Sequence, residues 1–264
     1  MTPRRIWLTG ASSGIGRATA LELARRGHRV VVSARSADKL DALADEAAAL
    51  EGSIRAVPLD VTEAAAARQA FERIEVEIGQ LDTAVLAAGS HHPVDARDFK
   101  AADLQKLVEI NLIGVAHCLE PVMQAMIARR SGRIAIVSSV AGYRGLPTSA
   151  YYGATKAALI NLAESLRFDL VRHGVTLQLI DPGFVRTPLT DRNEFKMPFL
   201  MEPEDAARRL ADGLESDRFE VTFPKRFTWI LKAMRCLPYA LYFPLVARAT
   251  GTGRAGDGEV SGRG

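Results

Sequence analysis

The feature that most restricts the fold lies at the start of the chain. Arg5-Ile6-Trp7-Leu8-Thr9 is a short apolar run that stops at Gly10. Gly10-Ala11-Ser12-Ser13-Gly14-Ile15-Gly16 then leads into a stretch of helical spacing that runs from Arg17 to Gly27. A buried strand, a glycine-rich turn and a helix N-terminus, in that order, make an anion site. Backbone N–H groups point outward, the helix dipole favours negative charge, and glycine lets a ligand approach the backbone. Placed between strand and helix, the glycine triplet is far more informative than three glycines elsewhere.

The alternation continues along the chain. Val30 to Val32 reads as a second strand leaving through Ser33, Ala34 and Arg35, and residues 36–50 as a helix. Ile54 to Leu59 is a third strand ending at Asp60-Val61, residues 63–78 a helix, and Thr83 to Ala87 a strand ending at Ala88-Gly89. A long helix from about Ala102 to Arg130, a strand from Arg133 to Val137, the helix containing Tyr152 and a strand from Val175 to Ile180 follow. This pattern predicts an α/β fold: a doubly wound parallel sheet with right-handed crossovers and helices on both faces, as a single domain over about 1–250. A chain of 264 residues, 48% hydrophobic and 25% charged, suits one such domain with a sizeable core.

Open sheets of this kind bind ligands outside the C-terminal ends of their strands. In dinucleotide folds an acid after the second strand accepts the ribose 2′-hydroxyl and a base holds a 2′-phosphate. Neither Ser33 nor Ala34 is acidic and Arg35 comes next, which favours NADP(H) over NAD(H). Asp60 can meet the adenine amino group, cap the helix starting near Glu63, or do both. Gly89 offers another close backbone approach. Ser139 stands at a strand's C-terminal edge, facing the crevice. Asn111 puts an amide on an otherwise apolar helix face, where it holds a water or bends the helix.

Tyr152 and Lys156, at i and i+4 of one helical run, share a face. A free phenol titrates near about 10, too high for efficient proton exchange at neutral pH. A lysine charge about 5 Å away is worth about 3 kcal/mol to the phenolate at an effective dielectric of about 20, or roughly two pKa units. That spacing predicts a tyrosine lowered into the range useful for acid–base work.

Other features exclude or narrow. The net charge of +3, from 34 basic and 31 acidic residues, does not argue for nucleic acid. Cys118 and Cys236 lie in apolar surroundings and read as buried thiols, which points to a reducing compartment. Met1 to Arg5 enters a strand directly, leaving no room for a signal peptide, so a cytoplasmic location is expected. His91 and His92 have no carboxylate or cysteine partner at metal spacing and read as surface residues, so no metal site is expected.

Past Pro182-Gly183, residues 188–214 read as a substrate lid, with Phe184, Phe195, Met197, Phe199, Leu200 and Met201 offering an apolar lining or ordinary core. Arg218 to Phe223 reads as an edge strand. Phe227 to Val246 is strongly apolar and aromatic, yet too short and too broken by proline to span a bilayer. Residues 225–250 can cover the cleft, pack in an oligomer, or lie on a membrane surface beside Lys225, Arg226, Lys232 and Arg235. Residues 251–264 read as a flexible tail.

Over about residues 4–215 the chain resembles the short-chain dehydrogenase/reductase family. Thr9-Gly10-Ala11-Ser12-Ser13-Gly14-Ile15-Gly16 is similar to the family's cofactor motif. Asn111, Ser139, Tyr152 and Lys156 match its catalytic tetrad in order and spacing, and Pro182-Gly183 matches the turn beside the nicotinamide. The resemblance implies a Rossmann-type fold and hydride transfer between NADP(H) and a carbonyl or alcohol substrate. Tyr152 would exchange the proton, and Lys156 would hold the nicotinamide ribose. Ser139 would bind the carbonyl oxygen, Asn111 a relay water, and Val185 and Thr187 the carboxamide. It also implies a homo-oligomer paired through the Asn111 and Tyr152 helices. The family's Asn-Asn-Ala-Gly is Leu86-Ala87-Ala88-Gly89 here, which removes two amides expected to tie neighbouring strands together. A membrane-surface member acting on lipid-like substrates, or a dinucleotide-binding regulator without turnover, are the alternatives.

Overall fold

A computed structural model describes residues 2–192 and 197–252. Seven strands form one parallel sheet: β1 (Arg5–Thr9), β2 (Arg29–Ser33), β3 (Ser53–Ala56), β4 (Thr83–Leu86), β5 (Arg133–Val137), β6 (Thr176–Pro182) and β7 (Glu220–Phe223). Their order is β3-β2-β1-β4-β5-β6-β7, so the chain reverses its direction of travel between β1 and β4 and opens a crevice there. The helices are α1 (Gly14–Arg25), α2 (Ala37–Glu46), α3 (Ala64–Ile78), α4 (Ala101–Val108), α5 (Gly114–Arg129), α6 (Ala150–Arg172), α7 (Pro203–Leu214), α8 (Lys225–Arg235) and α9 (Tyr239–Thr250).

Strand side chains alternate between two cores. Trp7 and Val31 point into one, with Ile74 of α3, Met126 of α5 and Leu159 of α6. Leu8, Val30 and Val32 point into the other, with Leu23 of α1, Leu40 of α2 and Leu210 of α7. Burial on both faces is why these strands read as unbroken apolar runs. The doubly wound parallel sheet expected from the sequence is the one observed.

The details depart from expectation in four places. β3 ends at Ala56 because Pro58 has no N–H to donate, although Val57 N and Leu59 N still reach Val32 O and Ala34 O at 2.9 and 3.0 Å. The long helix is broken by a π turn, Glu109–Ile113, whose wider winding holds Asn111 fully buried. The stretch expected as a lid divides. α7 buries Ala206, Leu210 and Leu214 against α1 and is core, and Met201 is pinned to Val185 by a strand-like bridge. Pro188, Leu189 and Thr190 line the mouth of the crevice, and Phe195 lies outside the described residues, as does the tail from residue 253. Finally, Cys236 is exposed at the end of α8, whereas Cys118 is buried as expected.

Just past the end of β4, a side chain of the neighbouring strand bonds the backbone. The Thr9 hydroxyl accepts from Ala87 N and Ala88 N at 3.1 and 3.2 Å, closing the β1–β4 seam.

Candidate active site

The crevice is a cleft of about 480 Å³ along the C-terminal ends of β1, β2, β4, β5 and β6. Gly10, Ser12, Ser13, Gly14, Ile15 and Gly16 form its floor. Gly10 and Gly14 have φ of +75° and +55°, and a Cβ on Gly16 would sit 2.3 Å from Gly10 O. Side chains at these positions would collide with the backbone of Ala87 and Ala88, with Thr187 and with the turn itself, so glycine is what lets the turn close tightly and leave its N–H groups bare at the N-terminus of α1. A phosphate-bearing group fits this cradle.

At one end of the cleft stand Arg35, Asp60 and Val61. Asp60 Oδ1 accepts from the Thr62 amide and hydroxyl at 3.0 and 2.8 Å. Burial acts to raise the Asp60 carboxyl, but those hydrogen bonds and the Arg35 charge hold it below its ordinary value. The N-cap of α3 is Glu63, so Asp60 stabilises the turn before the helix and not the cap itself. Arg17 faces away and pairs with Glu46. Lys39, one turn into α2 and four residues beyond Arg35, adds a second cation to this end. No helical spacing links the two, because Arg35 precedes α2, and they meet only through the turn between β2 and α2.

At the other end Ala88, Gly89, Ser139, Tyr152, Lys156, Pro182, Gly183, Val185 and Thr187 converge. Lys156 is buried and donates to Val137 O at 2.9 Å, with its Nζ 5.6 Å from the centroid of the Tyr152 ring. Ser138 Oγ donates to Lys156 O at 2.9 Å, fixing the register of α6 against β5. Ser139 Oγ accepts from Ala141 N at 3.1 Å. Asn111 does not line the cleft. Its Oδ1 accepts from Ser90 N at 2.7 Å, and its Nδ2 donates to Ser90 O and Thr155 Oγ1 at 2.9 and 3.0 Å. These bonds tie the loop after β4 to α6 directly behind Gly89, so in this structure Asn111 is a strut.

The expected lowering of Tyr152 is not found. Burial pushes its phenol up to about 12, with the Ser139 hydroxyl offsetting part of the rise and Asp181 adding to it. Burial also pushes Lys156 down to about 8, against the pull of Asp181. Desolvation outweighs the pairwise attraction that helical spacing alone suggests.

Asp181, the residue before Pro182-Gly183, is fully buried. Neither of its carboxyl oxygens has a hydrogen-bond partner among the described residues. Burial and neighbouring Glu220 push it up to about 7, while Lys232 and Lys156 pull it down. Glu220 accepts from the Tyr143 hydroxyl at 2.7 Å and from Lys232 of α8.

In front of Tyr152 lies a smaller pocket of about 100 Å³ lined by His91, Val140, Leu146, Pro147, Phe184 and Leu189 among others. It is mostly apolar, and Phe184 is the member of the expected apolar group that faces it. His91 corrects the sequence reading: half-buried, it packs edge-on against Tyr152, whereas His92 is exposed as expected. No local pattern signals this, because the two residues meet only when the loop after β4 folds over α6.

The comparisons agree with this architecture. The chain is 40% identical to an "uncharacterized oxidoreductase" of Myxococcus xanthus (strain DK1622), covering 92% of this chain and 96% of that protein. It is 36% identical to a 3-oxoacyl-(acyl-carrier-protein) reductase of Synechocystis sp. (strain ATCC 27184 / PCC 6803 / Kazusa), over 72% of this chain and 78% of that one. A short-chain dehydrogenase from Sphingobium yanoikuyae, solved in complex with NADPH, superposes with a TM-score of 0.76 at 26% identity, covering 90% and 97% of the two chains. The family model for short chain dehydrogenase matches residues 4–197, from the first strand through the glycine turn and the Tyr152 helix. With that match spanning the whole cleft, the chain belongs to the short-chain dehydrogenase family of oxidoreductases.

Proposed function

We propose that this protein is an NADP(H)-dependent oxidoreductase that interconverts a carbonyl and an alcohol, with Tyr152 as the proton-exchanging group. The observation that carries the reading is the convergence of Tyr152, Ser139 and buried Lys156 on a cleft whose far end is a glycine cradle. When bound, the dinucleotide supplies or accepts the hydride. The backbone of Gly10 to Gly16 holds its pyrophosphate at the N-terminus of α1, and Arg35 with Lys39 meets a 2′-phosphate. The NADPH complex of the Sphingobium relative supports the phosphorylated dinucleotide. Lys156 holds the nicotinamide ribose, and the turn from Pro182 to Thr187 bounds the nicotinamide.

Ser139 orients the substrate oxygen and stabilises negative charge developing on it, and Tyr152 delivers the proton. The Tyr152 phenol, held up to about 12, is in its donor form at neutral pH, the form carbonyl reduction uses, although the rise moves it further from the operating pH that favours fast proton exchange. The apolar walls around Phe184 and Leu146 favour an apolar substrate. Tyr152→Phe tests the assignment. Turnover is expected to fall about 10²- to 10⁴-fold, the span of general acid catalysis, while NADPH binding stays within a few-fold of wild type. Unchanged turnover in this variant overturns it.

Exposed Phe168 and Val171 on α6 favour a homo-oligomer paired through this helix and the Asn111 helix. The two unpaired thiols favour a cytoplasmic, reducing location. A second reading, peripheral contact with a membrane through residues 225–250, draws support from the aromatic side chains that α8 and α9 leave exposed.

A further inference from the structure

The outer surface of α8 and α9 has no role in the cleft chemistry. α8 enters the body of the protein through its first turn, where Phe227 and Thr228 are buried and Phe227 meets Phe184 and Phe199 at ring distances of 5.5 and 5.7 Å. Arg144 holds the junction of the two helices. Its Nη1 donates to Met234 O and Leu237 O at 2.9 and 2.6 Å, and its guanidinium lies 3.9 Å from the centroid of Tyr242. Tyr242 in turn donates its hydroxyl to Gly145 O at 2.7 Å. The rest of the apolar surface faces outward: Trp229, Ile230, Tyr239, Leu241, Phe243 and Leu245, with Trp229 and Tyr239 70% and 69% exposed.

Charge identifies the partner. From Val221 to Thr252 the chain has five cations and no carboxylate. Lys232 is engaged by Glu220, and Lys225, Arg226, Arg235 and Arg248 are exposed. Exposed aromatic and aliphatic groups set among cations, with no acid in either helix, match an anionic phospholipid surface, where rings settle at headgroup depth and cations meet phosphates. A second copy is a poor match, because apposing two such faces brings like charges together with nothing opposite them. With 11 and 12 residues, α8 and α9 are well short of the roughly 20 needed to cross a bilayer, so they lie along it.

The position relative to the cleft gives the face a purpose. The loop that supplies Arg144 and Gly145 continues into Leu146, Pro147 and Thr148, a wall of the apolar pocket in front of Tyr152. We propose that α8 and α9 form a docking face for anionic membrane surfaces, seating the pocket mouth beside the bilayer so that apolar substrate enters from the lipid. The delivery half of this proposal rests on the carbonyl–alcohol reading above; the docking half does not.

The chain's two tryptophans make docking measurable. Trp7 is fully buried and Trp229 is exposed, so a change in emission on adding vesicles reports Trp229. Full-length protein is mixed with vesicles of phosphatidylcholine alone and of phosphatidylcholine with phosphatidylglycerol. The expected result is blue-shifted emission and co-sedimentation with the anionic vesicles only, weakened by salt. Binding is expected to fall about tenfold or more in a Trp229→Ser, Phe243→Ser double variant that still binds NADPH as wild type does. Protein that binds NADPH but shows neither signal overturns docking. A wild-type oligomer that dissociates in the double variant, without vesicle binding by either, overturns it in favour of a second copy. For delivery, the double variant should reduce a long-chain aldehyde held in anionic vesicles more slowly than wild type, with reduction of a short water-soluble aldehyde unchanged. Equal rates on both overturn delivery. No turnover of either aldehyde by wild type removes the reading on which delivery rests, and docking is then judged by the vesicle result alone.

Discussion

The rings of His91 and Tyr152 meet edge to face with centroids 4.8 Å apart, so the side wall of the apolar pocket is also the support of its phenol. Aromatic pairs of this geometry are worth about 0.5–1.5 kcal/mol beyond their buried area. If the contact fixes the phenol's direction, His91→Ala lowers kcat/KM for carbonyl reduction by about 2- to 12-fold with NADPH affinity unchanged. His91→Phe, which keeps a ring against Tyr152, restores most of it. A loss equal in both variants would instead assign His91 a role through its nitrogens.

Thr9 joins β1 to the backbone just past β4. Its hydroxyl is the acceptor for both Ala87 N and Ala88 N. Thr9→Val keeps the shape and leaves two amides without that partner, at a cost of about 1–3 kcal/mol for each buried group left unsatisfied. Urea unfolding should show a lower midpoint with the slope unchanged, and Thr9→Ser should recover most of the difference.

Arg35 and Lys39 stand together at the adenosine end of the cleft. Charge-assisted hydrogen bonds contribute about 1.5–3 kcal/mol each, so Arg35→Ala should weaken NADPH binding by about 10- to 100-fold and leave NADH nearly unchanged. Lys39→Ala should do the same more weakly. Titration of both nucleotides by fluorescence decides it, and equal losses for NADH would remove the 2′-phosphate assignment.

Asp181 gives a pH signature with a definite sign. Its folded value of about 7 lies above the unfolded carboxyl value of about 3.9. Between those values the folded chain keeps a proton that the unfolded chain has released, so this group's contribution to stability falls as pH rises. The limit is about 1.4 kcal/mol per pH unit. Lys156 acts in the other window. Its folded value of about 8 lies below its ordinary one, so its contribution grows as pH rises above about 8 and is lost as pH falls through that value. Asp181→Asn should therefore gain stability relative to wild type on going from about pH 5 to about pH 7.5, measured by urea midpoints. A difference that stays constant over that range would show that Asp181 does not titrate there.

Sequence alone determined the parts that depend on neighbours along the chain. The apolar strand, the glycine turn and the helix behind it are set by local sterics and by the period of apolar residues, and so is the pairing of Tyr152 with Lys156 on one helix face. For the same reason the parallel sheet and the line of cleft residues from Gly10 to Thr187 were legible in advance. Tertiary structure decided everything that depends on residues remote in sequence or on how much water is removed. It set His91 against Tyr152, gave the Thr9 hydroxyl to the loop after β4, and turned Asn111 into a strut through a π turn. It made α7 core where a lid was expected. It also reversed the expected shift of Tyr152, because spacing reports the distance between two charges, whereas desolvation depends on every atom packed around them.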